Sequence, residues 1–484
     1  MPRRLLDSPW TAPAICCLVA AVFRFYDLGQ ASLWRDEIYS IGESESLAHI
    51  VLRKGNGFGY FLLLHMMRSV FGTSPISLRI LSAIAGTLAT LVVWAIALKI
   101  SGRRSAALLA ALGIAVLPLH VLLSREARMY SLWALALWSA YFCLLHLDSG
   151  RRVAAFGGAV AALVAAFSFH NFSLIYMPGL FLAWWLYPQR PEYRRQKQVD
   201  GTRLAAAVLI IGGILGLRLA LQVPDFFRFL MSLAMEPLWA QRTGLADSFL
   251  QLSFFPAGPK TLSSFSTAAA VAILIGFWLL AVFQSIHLVG LQKALGAAIA
   301  FLFPLLFFAV FPIRHYPRLL LPCALYLILP FAFWASRLKR GPYLTGLGLL
   351  ILGGLLGNAW RATQLDREPW NLLCEQIAAN AADKTVIAAW PSQTFNSFGY
   401  CYRGKGELIK FPDLLTRKSE LAAKDTWILL FPFFTKASNL EEVGALEKQL
   451  QLKRVMSPVP ELRVLAPASA QWQLLPEIPR PGAP

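Results

Sequence analysis

Charge is what this chain has least of. Of its 484 residues 15% are charged and 57% are hydrophobic, and the mean hydropathy is +0.55. Soluble domains carry about a quarter charged residues, so this scarcity excludes a soluble enzyme and implies an integral membrane protein. Acid is scarcer than base: 26 Asp and Glu stand against 45 Lys and Arg, a net charge of +19. The basic residues are scattered among hydrophobic runs rather than gathered on a polar module, which argues against a nucleic-acid partner. Histidine (7) and cysteine (6) are also few. No two His stand at metal-ligand spacing, and there is neither a CxxC pair nor a GxxxxGK[ST] loop. Motif-level evidence for zinc, dithiol redox chemistry or a P-loop nucleotide is therefore missing. No cofactor is demanded, and a divalent cation bridging carboxylate and phosphate stays open.

What the chain does have is long apolar runs. Stretches able to cross about 30 Å of hydrocarbon occur near 10–28, 77–99, 103–123, 131–147, 153–170, 172–187, 204–222, 264–288, 295–313, 318–336 and 342–360. No small-x-small cleavage site follows "MPRR" and its apolar stretch, so 10–28 reads as a retained helix. The short basic loops "KISGRR" (99–104), "LDSGRR" (147–152), "PQRPEYRRQKQ" (188–198) and "SRLKRGP" (336–342) agree as cytoplasmic turns. The N-terminus is then cytoplasmic and everything after 361 extracytoplasmic, with short loops that suit a bacterial inner membrane. Two amphipathic surface helices are expected within 42–72, interrupted by "GNG" at 55–57, and a partly interfacial loop over 223–263.

The composition changes after 361. "WNLLCEQIAANAA" and "GALEKQLQL" have helical patterns, while "KTVIAAW" and "TWILLFPFF" read as buried strands. The expected architecture is an α-helical polytopic membrane domain over 1–361 and a small extracytoplasmic α/β domain over 362–484. The tail "PEIPRPGAP" reads as disordered. Cys16, Cys17, Cys143 and Cys323 lie in apolar runs as small fillers. Cys374 and Cys401 are free to pair if their segment lies in an oxidising compartment, and both redox states stay open.

On this topology the outer face holds Arg24, Arg35, Arg53, Lys54, Arg68, Arg79, Arg125, Arg128, Arg314 and Arg318, against the usual bias. Membrane-surface anchoring accounts for Arg53, Lys54 and Arg68; an anionic ligand would account for others. Three constellations carry candidate chemistry. "ASLWRDEIYSI" (31–41) sets Asp36 and Glu37 at a helix start, where carboxylates are favoured without any function, beside Arg35 and Tyr39. A carboxylate held there can also serve as general base toward a hydroxyl. "LSREARMYSLW" (123–133) offers Arg125, Glu126, Arg128 and Tyr130, which a surface salt-bridge cluster would equally explain. "FPIRHYPRLLLP" (311–322) places Arg314, His315 and Arg318 around a helix-breaking Pro317. Guanidinium groups fork onto phosphate oxygens and stay charged, so this is either a phosphate cradle or interfacial anchoring. His170, with Asn171, interrupts an apolar run at the same face.

In order along the chain, "FRFYDLGQASLWRDEIYSI", "FGTSPISLRILSAIAG", "LSREARMYSLWALALWSAYF" and "RHYPRLLLPCALYL" resemble the GT-C glycosyltransferases. Within these they resemble the family 39 protein-mannosyltransferase-like group, which includes the aminoarabinose transferases of lipid A. The resemblance covers about the first 340 residues. It implies a hexosyl- or pentosyltransferase that uses a polyprenyl-phosphate sugar, bound by its lipid among the helices, and a lipid, glycan or protein acceptor. It casts Asp36 as catalytic base with Glu37 its motif neighbour, and Glu126 as a second catalytic carboxylate followed by Arg128 and Tyr130. Arg318 and its surroundings fall near the donor phosphate. Arg128, Arg314, His315 and Arg318 are then the expected donor-phosphate contacts, and Arg35, Tyr39, Tyr130 and His170 the expected substrate contacts. Where the family carries "HPP", this chain reads "NGFGY" (56–60), a departure on the acceptor side. The competing readings are a transporter or flippase, which would call for polar residues at mid-membrane and repeated halves, and a polymerase or ligase of lipid-linked glycans.

Overall fold

The computed structural model describes residues 10–52, 57–148, 151–187, 198–203, 206, 264–310, 317–338, 342–364, 368–390, 392–416, 425–430, 437–459 and 462–470. It divides into two compact units, Met1–Leu28 with Ser46–Thr363, and Gly29–Glu45 with Gln364–Pro484. The segment "ASLWRDEIYSI" thus packs with residues of the C-terminal unit, although it follows the first apolar helix in the chain.

The helices are α1 (Thr11–Phe25), α2 (Arg35–Glu43), α3 (Leu47–Leu52), α4 (Phe58–Phe71), α5 (Pro75–Ser101), α6 (Arg104–Ala115), α7 (Pro118–Ser124), α8 (Tyr130–Leu144), α9 (Arg152–Phe169), α10 (Ser173–Leu186), α11 (Ser264–Val289) and α12 (Leu291–Val310). A 3-10 segment (Pro317–Cys323) follows, then α13 (Ala324–Ala335) and α14 (Pro342–Thr363). The expected apolar spans fall on these helices, except 204–222, nearly all of which lies outside the described residues; 103–123 is broken into α6 and α7, and 318–336 begins as the 3-10 segment before α13. Among the described residues five helices are long and apolar enough to cross a membrane alone, six if α6 and α7 form one bent span. Helices α1, α4, α8 and α10 are shorter and apolar. The two surface helices expected within 42–72 correspond to α3 and α4; the loop expected over 223–263 and the C-terminal tail lie outside the described residues.

Local chemistry sets the ends. Helix α5 starts at Ser74, whose Oγ accepts the Ser77 N–H at 3.2 Å, with Pro75 at the first helical position. It stops at Gly102, whose φ of 66° suits glycine. Between α6 and α7 the chain bends by 57°, because Pro118 has no N–H to continue the helix.

In the second unit α15 (Trp370–Asn380), β1 (Val386–Trp390), α16 (Ser392–Cys401), β2 (Glu407–Lys410), α17 (Phe411–Thr416), β3 (Thr426–Leu430), α18 (Ala437–Gln449), β4 (Lys453–Val455) and β5 (Arg463–Ala466) form a small α/β layer structure. The sheet order is β2-β1-β3-β5-β4, with β2, β1 and β3 parallel and β5 and β4 antiparallel. Ile387, Ala389, Trp427 and Leu429 pack on one face with Trp370, Leu373 and Phe398. Val386, Ala388, Ile428 and Leu430 pack on the other with Val443 and Leu446. Burial on both faces explains the unbroken apolar runs of β1 and β3. Cys374 and Cys401 form a disulfide that joins α15 to α16, and α2 packs against α16.

Candidate active site

In the first unit the loop between α7 and α8 carries Arg125, Glu126 and Arg128, and its shape is fixed by hydrogen bonds to backbone. Arg125 is buried and donates to five carbonyl oxygens: Phe23 (3.2 Å), Arg24 (3.2 Å), Tyr26 (2.5 Å), Asp27 (3.3 Å) and Thr363 (3.1 Å). It closes the C-terminal end of α1 and the last residue of α14, where unsatisfied carbonyls attract a cation. Burial, then Arg79, push its pKa down to about 10, so it stays cationic at neutral pH. Ser82 Oγ donates to the Arg128 carbonyl at 2.9 Å, and the Arg128 N–H turns back to the Glu126 carbonyl at 2.7 Å.

Two more arginines expected at the outer face serve backbone. Arg24 donates to the carbonyls of Ala20 and Ala115 at 3.0 Å and Ile114 at 3.3 Å, stitching the break after α6, and its Nη2 lies 2.5 Å from His120 Nδ1. Arg79 donates to the Leu28 carbonyl at 3.0 Å. The charge of Arg24 and Arg125 therefore completes helix ends, and that of Arg79 ties down the turn after α1, uses that sequence position alone does not reveal.

Arg128 and Arg318 differ. Separate segments bring both guanidinium groups to Tyr130, with Cζ 5.8 Å and 5.4 Å from the ring centroid. The His170 ring lies 6.0 Å from Tyr130 and stacks on Trp133 at 4.5 Å. His170 Nδ1 accepts the Phe172 N–H at 3.2 Å, which leaves the proton of the neutral ring on Nε2. Trp133 is held by its indole N–H to Ser173 Oγ, 2.8 Å, and by the edge of Tyr176. The Tyr176 hydroxyl donates to the Leu319 carbonyl, next to Arg318, and so fixes the 3-10 segment. Glu126, Arg128, Tyr130 and His170 are all buried. The structure thus brings Arg128, Tyr130, His170 and Arg318 together from separate segments, with Arg128 on the loop that also carries Glu126. Arg314 and His315 lie outside the described residues. Trp133, Ser173 and Tyr176 escaped the sequence reading because each sits in an apolar run and reads as core.

In the second unit Asp36 is partly buried in the first turn of α2. Glu37 is buried and its Oε2 accepts the Trp34 N–H at 3.2 Å, so it caps the helix it belongs to. Tyr39 is exposed. Arg35 gives its backbone N–H to Glu368 Oε2 at 2.9 Å and its Nη2 lies 3.4 Å from Glu368 Oε1. Glu368 went unremarked in the sequence, because a single Glu before a proline carries no periodic signal. Among the described residues no group of three or more His, Cys, Asp or Glu is placed to hold a metal ion.

A polytopic helical unit with a small α/β unit is the fold of solved GT-C membrane proteins, ArnT among them. Residues 56–212 match the family model described as dolichyl-phosphate-mannose-protein mannosyltransferase. Apo ArnT from Cupriavidus metallidurans superposes with a TM-score of 0.62 at 14% identity, over 94% of this chain and 97% of that one. The same protein bound to undecaprenyl phosphate gives 0.60 at 14% identity, over 96% and 100%. The apo oligosaccharyltransferase of Archaeoglobus fulgidus gives 0.54 at 13% identity, over 88% and 70%. No curated protein matches the chain.

Proposed function

We propose that this protein is an inverting glycosyltransferase that moves a hexosyl or pentosyl group from a polyprenyl-phosphate donor to an acceptor hydroxyl at the outer face of a bacterial inner membrane. The observation that carries the reading is the convergence of Arg128 and Arg318 on Tyr130 beside His170, in a fold one of whose solved members, ArnT, binds undecaprenyl phosphate. When the bond from the anomeric carbon to the donor phosphate oxygen breaks, negative charge collects on the phosphate. Fixed guanidinium groups and the His170 Nε2–H meet that charge, so the leaving group needs no general acid. Asp36 takes the proton of the acceptor hydroxyl, whose oxygen attacks the anomeric carbon opposite the phosphate and inverts it. Glu126, buried on the loop that carries Arg128, is the second carboxylate of the site, Glu37 caps the start of α2, and Arg35 and Tyr39 flank the acceptor. The N-terminus is cytoplasmic in this reading and the second unit is extracytoplasmic, where nucleotide sugars are not supplied but lipid-linked donors are.

The test is transfer of radiolabelled sugar from undecaprenyl-phosphate mannose, glucose, arabinose and 4-amino-4-deoxyarabinose to membrane extract by purified wild type and Asp36→Asn. The reading expects one donor to be consumed with inversion by the wild type, and Asp36→Asn to bind that donor while transferring at least about a hundredfold more slowly. Label that changes leaflet without forming a new glycosidic bond would make the protein a transporter. Equal rates in the two proteins would take the base role from Asp36.

A further inference from the structure

We infer that Glu368, far along the chain, is the positioning residue for the helix that carries Asp36; the inference rests on the reading of Asp36 as catalytic base. The first turn of a helix has N–H groups with no acceptor in the helix, and a Ser, Thr, Asp or Asn just before it normally supplies one. Here the residue before α2 is Trp34, whose indole has a donor and no acceptor. Two carboxylates fill the gap. Glu37 takes the Trp34 N–H at 3.2 Å, and Glu368 takes the Arg35 N–H at 2.9 Å from a sequence distance of 333 residues.

Glu368 is itself held. The same Oε2 accepts the Trp370 indole N–H at 2.9 Å, and Trp370 is buried in the core on one face of the sheet. Its Oε1 faces Arg35 Nη2 at 3.4 Å. Beside it the Asn371 N–H donates to Ser32 Oγ at 3.3 Å, a second tie between the same two stretches. A carboxylate at this place also meets the positive end of the helix. The consequence falls on Asp36, the next residue after Arg35 and within the same turn: without Glu368 the turn loses an acceptor and an ion partner together, and the base loses its fixed place.

The test uses the full chain in lipid nanodiscs as wild type, Glu368→Ala, Glu368→Gln and Asp36→Asn. Amide hydrogen exchange of the peptide covering 34–43 should be about tenfold faster in Glu368→Ala and close to wild type in Glu368→Gln, whose amide oxygen still accepts both N–H groups. With the undecaprenyl-phosphate sugar that the wild type consumes, the kcat of Glu368→Ala should fall about tenfold at unchanged donor KM and recover in Glu368→Gln. Unchanged exchange in Glu368→Ala overturns the inference, as does a wild-type kcat despite faster exchange, or equal losses in both Glu368 variants. Full activity in Asp36→Asn removes the base reading itself, while the exchange result still decides whether Glu368 holds the helix.

Discussion

At the scale of single residues, the arginines read together from the sequence separate by what their guanidinium groups touch. Arg24, Arg79 and Arg125 donate to backbone carbonyls, whereas Arg128 and Arg318 face an aromatic ring and a histidine across it. Loss of the first kind should unfold, and loss of the second should unbind. Arg125→Gln removes donors from a buried cluster of carbonyls and should cost about 3 kcal/mol or more of stability, visible as a lowered melting temperature in detergent. Arg318→Gln should melt close to wild type and bind undecaprenyl phosphate about tenfold or more weakly, the worth of one charge-assisted hydrogen bond. The pair is measured together by thermal unfolding and by lipid titration; the opposite pattern would exchange the two roles.

At the scale of elements, close approach rather than hydropathy decides the fit of the helices around the α7–α8 loop. A Cβ on Gly86 of α5 would lie 2.1 Å from Ser124 Oγ and 2.8 Å from Arg24 Nε, so only glycine lets α5 approach α7 and the Arg24 side chain this closely. Gly86→Ala should cost about 1–3 kcal/mol in thermal unfolding, and adding Ser124→Gly should restore part of it, a non-additive pair because the two sites touch. The apolar spans were legible because hydropathy sums over some twenty residues and survives local exceptions. Strands β1 and β3 were legible for the same reason, buried on both faces. The short strands β2 and β4 were not: Glu407–Lys410 and Lys453–Val455 lie at the two edges of the sheet and carry charges, a composition that reads as loop. Nor was the use of Arg24 at the α6–α7 break, since that depends on carbonyls 90 and 91 residues away along the chain.

At the scale of the whole molecule, chain order and packing part company at Asp36. The sequence places it just after the first apolar helix, and its neighbours Arg35 and Glu37 were singled out with it. Its compact unit is that of residues 364–484, a grouping that no local pattern encodes because it is made by the packing of α2 on α16 and by long-range hydrogen bonds such as that from Arg35 to Glu368. The compartment of that unit, read from the basic loops as extracytoplasmic, is open to a test that does not depend on activity. Cys374 and Cys401 are bridged, while Cys16, Cys17, Cys143 and Cys323 are free. Disulfides persist in the periplasm and are reduced in the cytosol. Protein taken from cells with a thiol block applied at lysis, then denatured, should label at the four free cysteines before reduction, with Cys374 and Cys401 labelling only after it. A Cys374→Ser variant should in turn expose Cys401 to the label without a reductant. If instead all the cysteines react in the unreduced wild type, the second unit faces the cytosol. The carboxylate of Asp36 would then lie on the side where nucleotide sugars are abundant, and the need for a lipid-linked donor would disappear.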